Sequence, residues 1–156
     1  AMKCDIRKFF ESVNHEALIS IVEKRIKDND AVWLIKEIIE SFGPGLPIGN
    51  LTSQIFANIY LNELDQFVKQ VLKVPFYLRY TDDFVIVAES KEKLENRLSE
   101  IKAFLSEKLK MELHPNKVIF RKYRQGIDFL GYVQLPRHRI LRTRTKKRII
   151  KKMILC

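Results

Sequence analysis

Two aspartates, Asp82 and Asp83, stand side by side where two apolar runs meet, Phe76 to Tyr80 before them and Phe84 to Ala88 after them. The β-branched and aromatic content of both runs predicts a hairpin with carboxylates at its tip, where an ordinary turn carries Gly or Asn. Adjacent carboxylates repel, so the pair is tolerable in an apolar hairpin when positive charge sits above it, and a divalent cation is the obvious source. A solvated Asp-Asp turn is the plainer alternative. Asp5 supplies a third acid: Lys3 to Phe10 reads as a strand with Cys4 and Ile6 on one face and Lys3, Asp5 and Arg7 on the other. Two or three carboxylates on adjacent strands suit hard cations, and Mg²⁺ takes one or two protein carboxylates together with substrate phosphates. Two such ions about 4 Å apart activate an attacking hydroxyl and stabilise a leaving group in phosphoryl transfer, which asks the protein mainly for placement and charge.

The charge balance points the same way. Lys and Arg number 29 against 19 for Asp and Glu, a net +10 over 156 residues, and such an excess fits a polyanionic partner. From Lys117 to Lys152 there are thirteen Lys or Arg and one acid, Asp128, interleaved with Tyr123, Phe129 and Tyr132. Basic residues mixed with aromatics suit a nucleic-acid surface. Nucleotidyl transfer on a nucleic acid is therefore the economical reading. A metal-dependent nuclease would use similar carboxylates, and a nucleic-acid-binding module would keep its affinity in chelator. No run approaches the length of a membrane span and no signal peptide opens the chain. Cys4 and Cys156 lie at opposite ends without metal-ligand spacing, which predicts a reduced, cytoplasmic protein. His15, His114 and His138 form no cluster and are expected at surface or structural positions.

The elements that must position the acids follow from periodicity. After Asn14, an N-cap, Leu18, Ile21, Val22 and Ile26 recur at helical spacing, and Leu34, Ile35, Ile38 and Phe42 repeat the pattern up to Gly43-Pro44-Gly45. The loop Leu46 to Asn50 feeds a long helix with an apolar stripe of Leu51, Ile55, Ile59, Leu64, Phe67 and Val71. Thr52, Ser53, Gln54 and Asn58 near its start either cap the helix or meet a phosphate or sugar. Leu94, Leu98, Ile101, Leu105 and Leu109 predict a scaffold helix after the hairpin. Short strands are expected at Met111 to Leu113 and Lys117 to Phe120, and a longer one at Ile127 to Leu135, interrupted at Gly131. Thr143 to Leu155 predicts a basic helix too polar to fold alone. This order implies an α+β fold, an antiparallel sheet with helices on one face and the other face open, on which Asp5 and the Asp82-Asp83 tip lie on neighbouring central strands. A strand that begins almost at the first residue implies a longer protein with a region upstream.

Four ordered blocks resemble the palm of a reverse transcriptase, of the kind found in group II introns, retrons and diversity-generating retroelements. They are Lys3 to Phe10, Gly45 to Gln54, Tyr80-Thr81-Asp82-Asp83 and Phe129-Leu130-Gly131-Tyr132. The resemblance implies a ferredoxin-like palm over residues 1–141 and the start of a basic thumb helix over 142–156. It implies RNA-directed DNA polymerase activity with two Mg²⁺ ions, for which Mn²⁺ can substitute. The partners implied are an RNA template, a DNA or RNA primer and dNTPs, with no membrane, room for an accessory protein and an undefined oligomeric state. By the same resemblance Asp5 and Asp82 bind both metals, Asp83 is a third carboxylate and the Ile6 carbonyl a further ligand. Phe10 matches the steric gate that excludes a ribonucleotide's 2′-hydroxyl, although Phe9 beside it leaves a core role open. Ile48, Gly49 and Gln54 fall at the incoming nucleotide. Lys117 falls near the departing pyrophosphate, where it would protonate or neutralise that group or serve as a plain phosphate-facing lysine. Phe129, Leu130, Gly131 and Tyr132 would hold the primer end, and Arg79 either meets template or pairs with an acid.

The departures from the family pattern also carry expectations. Most relatives have Gln where Ile48 stands and Pro where Gln54 stands, and the Ile-Gly and Ser-Gln version is closest to the diversity-generating retroelement branch. Ile48 removes a polar contact near the incoming base, which gives lower fidelity a physical reason. Thr81 replaces the commoner Ala, Val or Met. Fingers are expected before Lys3 and a thumb after Leu155, so the isolated chain is expected to bind nucleic acid weakly and polymerise little. An RNA-dependent RNA polymerase and a catalytically silent nucleic-acid-binding domain of a defence system are the alternatives.

Overall fold

β1 (Met2–Asp5), β2 (Phe76–Tyr80), β3 (Asp83–Val87) and β4 (Ile119–Phe120) form one antiparallel sheet in the order β2-β3-β1-β4. That strand order, with helices crossing between β1 and β2 and between β3 and β4, is the ferredoxin-like layout. A computed structural model describes residues 1–154, so the expected end of the basic helix at Leu155 and the second cysteine, Cys156, lie outside the described residues. Between β1 and β2 run α1 (Phe9–Ser12), α2 (His15–Arg25), α3 (Asn29–Glu40) and α4 (Leu51–Gln66), the last extended by a π-helical turn, Phe67–Val71. α5 (Lys91–Leu109) joins β3 to β4.

Alternation along the strands decides which face meets the helices. Met2, Cys4 and Ile6 after β1, and Phe84 and Ile86 of β3, are buried against Tyr60, Leu61 and Leu64 of α4 and Leu94, Ile101, Leu105 and Leu109 of α5. The Tyr60 hydroxyl reaches the end of α5 and donates to the Leu109 carbonyl at 2.7 Å, so the polar tip of this buried ring is satisfied. Asn14 caps α2 through the Ala17 N–H, as expected. Among the described residues no helix is long and apolar enough to cross a membrane.

Several sequence expectations fail at this level. On α4 the buried row is Ser53, Phe56, Ala57, Tyr60, Leu61 and Leu64, not the Leu51 and Ile55 row, and Leu51 is 72% exposed. Both rows are apolar, so periodicity could not choose between them. The π-helical turn then inserts a residue that carries Val71 out to solvent while Val68 stays buried. On α3, Ile39 is the fully buried residue and Leu34 is exposed. Met111 to Leu113 contributes a single bridge, Ile6 to Leu113, and Lys117 to Phe120 yields only the two residues of β4.

The sheet face opposite the helices is not fully open. β5 (Ile127–Phe129), β6 (Tyr132–Gln134) and β7 (Arg139–Leu141) make a second antiparallel sheet, and Ile127 and Phe129 pack on Val85 of β3. The expected single strand from Ile127 to Leu135 is thus a hairpin. Its two-residue turn is Leu130-Gly131, with φ of 52° and 81°, and Phe129 pairs with Tyr132 across it. Positive φ at both central positions matches the twist of the flanking strands; Gly131 adopts it freely, and Leu130 does so against its preference. The basic helix follows as α6 (Thr143–Ile154).

Candidate active site

β1 and β3 are antiparallel neighbours, so the last residue of one and the first of the other meet: Asp5 is the register partner of Asp83. The Ile6 N–H donates to the Asp82 carbonyl at 3.2 Å, which draws the hairpin tip against the end of β1. Thr81 and Asp82 form the two-residue turn between the paired residues Tyr80 and Asp83. Thr81 has a φ of 51°, and its hydroxyl lies 2.9 Å from Asp82 Oδ1. Asp5 and the adjacent Asp82-Asp83 pair, far apart in sequence, therefore reach one end of the two central strands.

Two lysines hold two of these acids. Lys117 Nζ is 2.9 Å from both Asp5 oxygens, and Lys3 Nζ is 3.0 Å from Asp83 Oδ2 and 5.9 Å from the centre of the Phe129 ring. Lys117 reaches its place because the turn before it is tied to the same strand end: the His114 N–H donates to the Asp5 carbonyl at 2.8 Å, and the Lys117 N–H to the His114 carbonyl at 3.1 Å. The hydrogen bond to Asp5, opposed by slight desolvation and helped by the charges of Asp5, Asp82 and Asp83, raises the Lys117 ammonium above its ordinary range. Among the described residues no three His, Cys, Asp or Glu side chains converge as a metal-binding group, and the two ammonium groups engage separate acids. The donors nevertheless fit a hard divalent cation: they are carboxylate oxygens, and the ammonium astride Asp5 marks a place that accommodates positive charge.

The other expected site residues fall into groups. Phe9 is buried and Phe10 half-buried, their rings edge-to-face at 5.1 Å, so Phe9 takes the core position and Phe10 packs at its edge, partly open to solvent. The loop that follows α3 is tied to this turn, since the Leu46 N–H donates to the Phe10 carbonyl at 2.7 Å. Ile48, Gly49 and Gln54 are exposed beyond it. Ser53 is fully buried, so it presents nothing to a phosphate, and the Asn58 amide donates back to the Gln54 carbonyl. Phe129 is buried under the Leu130-Gly131 turn, leaving Leu130 and Tyr132 as the accessible part of that hairpin. Arg79 pairs with an acid, Asp65, which no local pattern singles out.

The chain matches over residues 1–134 the family described as reverse transcriptase (RNA-dependent DNA polymerase). It is 27% identical over 201 residues to the group II intron-encoded protein LtrA of Lactococcus lactis subsp. cremoris, an alignment covering 82% of this chain and 33% of that protein. It is 22% identical over 197 residues to the putative COX1/OXI3 intron 2 protein of Saccharomyces cerevisiae, covering 84% of this chain and 23% of that one. The chain thus spans about a quarter to a third of the length of these relatives. The structure superposes on apo telomerase from Candida tropicalis truncated from the C-terminal domain, with a TM-score of 0.67 and 15% identity over 90% of this chain and 35% of that one, a likeness of fold. With the acids meeting at the strand ends of a polymerase palm and most of its length matched, this chain belongs to the reverse transcriptase family.

Proposed function

We propose that this palm carries out template-directed addition of dNTPs to a primer 3′-hydroxyl on an RNA template, within the longer protein that supplies fingers and thumb. The observation that carries this reading is the register pairing of Asp5 with Asp83, with Asp82 hydrogen-bonded to the next residue of β1. The family uses divalent metals, and two Mg²⁺ ions are the proposed pair; when bound they lower the pKa of the attacking hydroxyl and offset charge on the leaving pyrophosphate. Asp5 and Asp82 hold them, the Ile6 carbonyl assists, and Asp83 stays engaged by Lys3. Lys117 leaves Asp5 when the site fills and delivers its proton, or its charge, to the pyrophosphate oxygen. Phe10 lies under the sugar, with Ile48, Gly49 and Gln54 on the nucleotide side, and Leu130, Gly131 and Tyr132 bear on the primer end. Arg139 lies 5.0 Å from the Tyr132 ring, which keeps positive charge beside that surface. α6 begins the thumb.

The test is primer extension on an RNA template by the full-length protein, with dNTPs and with NTPs. Asp82→Asn should abolish extension while leaving the fold intact. Extension by that variant at the wild-type rate removes the metal assignment and favours a silent binding domain. Preferential use of NTPs assigns an RNA polymerase instead.

A further inference from the structure

Asp82 sits in a turn that does not hold itself. Thr81 before it is β-branched and adopts a φ of 51°, a left-handed conformation that costs an ordinary residue about 1–2 kcal/mol. Such a conformation persists when neighbouring contacts determine it. Two backbone contacts do so here. On one side the Ile6 N–H holds the Asp82 carbonyl at 3.2 Å. On the other, Arg79 Nη1 donates to the Thr81 carbonyl at 3.0 Å, and that carbonyl belongs to the peptide leading into Asp82. With both flanking peptide planes fixed, the direction in which the Asp82 Cα–Cβ bond leaves the backbone is fixed as well.

The arm on Thr81 is itself anchored. Arg79 Nε lies 2.8 Å from Asp65 Oδ1 and Nη2 lies 2.6 Å from Oδ2, a two-pronged pairing, and the Tyr77 hydroxyl donates to Oδ1 at 2.7 Å. The Arg79 side chain is only 10% exposed and the Asp65 side chain 25% exposed, so solvent screens this pair little. Asp65 stands in the last turn of α4, a rigid element packed on the core. The guanidinium thus transmits the position of a helix to the catalytic turn, while Asp65 cancels its charge and leaves the field at the acids nearly unchanged.

We propose that Arg79, locked by Asp65, is the positioning residue that aims the Asp82 carboxylate at the metal site. The proposal rests on the reading that Asp82 is a metal ligand, and the test separates the two. Mn²⁺ affinity is measured by the loss of the free-ion electron paramagnetic resonance signal on titrating the chain, for the wild type, Asp82→Asn, Arg79→Met, Arg79→Lys and Tyr77→Phe. Loss of a partner that orients a metal ligand lowers affinity by about 10–100-fold, the fall expected for Arg79→Met. Arg79→Lys, whose single ammonium cannot span both Asp65 oxygens and the Thr81 carbonyl, should fall in the same direction and serves in its place if Arg79→Met does not fold. Tyr77→Phe spares the Arg79 arms and should bind as wild type. If Asp82→Asn binds Mn²⁺ as wild type does, the metal reading fails. If Asp82→Asn loses Mn²⁺ while a folded Arg79 variant keeps wild-type affinity, the positioning role alone fails.

Discussion

Substituting Gly45 with alanine should unsettle the turn that carries Phe10, and the size of the effect follows from the backbone. Gly45 has a φ of 74°, and a Cβ built there stands 2.2 Å from the Phe10 carbonyl oxygen and 2.7 Å from the carbonyl carbon and oxygen of Glu11. All three atoms are main chain, so no side chain can swing aside. Nor can the two segments easily part, because the Leu46 N–H donates to that same Phe10 oxygen at 2.7 Å and the His15 Nε2–H donates to the Gly45 carbonyl at 2.6 Å. The left-handed conformation costs alanine about 1–2 kcal/mol, and forcing extra volume into a packed contact costs about 1–3 kcal/mol. Together these give roughly 2–5 kcal/mol, a large share of the roughly 5–15 kcal/mol that holds a domain folded. At roughly 2–4 °C per kcal/mol for a chain of this size, Gly45→Ala should melt roughly 4–20 °C below wild type by circular dichroism. Gly43→Ala is the control: nothing lies within 4 Å of its Cβ, so its melting temperature should stay near wild type. Equal melting temperatures for the two variants would refute the reasoning. In the full-length protein the folded fraction of Gly45→Ala should also discriminate dNTP from NTP less well, because the displaced backbone is that of Phe10, the residue proposed to lie under the sugar.

Two further outcomes follow from the charged and buried groups of β1. Lys117→Met frees both Asp5 oxygens, so the isolated chain should bind Mn²⁺ more tightly while the full-length enzyme turns over more slowly; weaker Mn²⁺ binding would show that Lys117 does not compete for the site. Burial pushes the Cys4 thiol up to about 12, slightly opposed by the charge of Lys102, from an ordinary value of 9.0. The unfolded thiol therefore loses its proton first, and stability present below pH 9 declines as pH rises toward 12, by up to about 1.4 kcal/mol per pH unit. Urea titrations between pH 8 and 10.5 should show Cys4→Ala less stable at pH 8 but with a shallower decline, and parallel declines would contradict the assignment.

What the sequence disclosed was local. Asp82 and Asp83 announced a turn by interrupting apolar runs, and alternation through Lys3, Cys4, Asp5 and Ile6 separated a chemical face from a core face. The α5 stripe is legible because its opposite face carries no large apolar residue, only polar and charged side chains and Ala103. The buried row of α4 is ambiguous in sequence because two adjacent rows are both apolar, and only the sheet beneath decides which is buried. The hairpin at Leu130-Gly131 was hidden by a leucine where left-handed backbone calls for Asn or Gly. Partners were the least visible. Lys117 and Asp5 are 112 residues apart, Asp65 and Arg79 fourteen, and neither spacing belongs to any local period.

These partners set the electrostatics of the acids. Adjacent carboxylates need a compensating cation, and two of the three acids at this strand end already have one supplied by the chain, while the third accepts a hydroxyl hydrogen bond from Thr81. The two lysines are not equivalent. Lys3 is 18% exposed and wedged beside Phe129, whereas Lys117 is 52% exposed on a turn held by main-chain hydrogen bonds. A divalent ion at the proposed site would meet the more exposed ammonium, and displacing it would require only rotation of one solvent-facing side chain. Displacing Lys3 would mean moving a largely buried side chain that sits beside Phe129. On the proposed reading Asp5 and Asp82 take the exchangeable charge while Asp83 keeps its internal partner, a division of labour among three chemically identical groups that follows from which lysine each can reach.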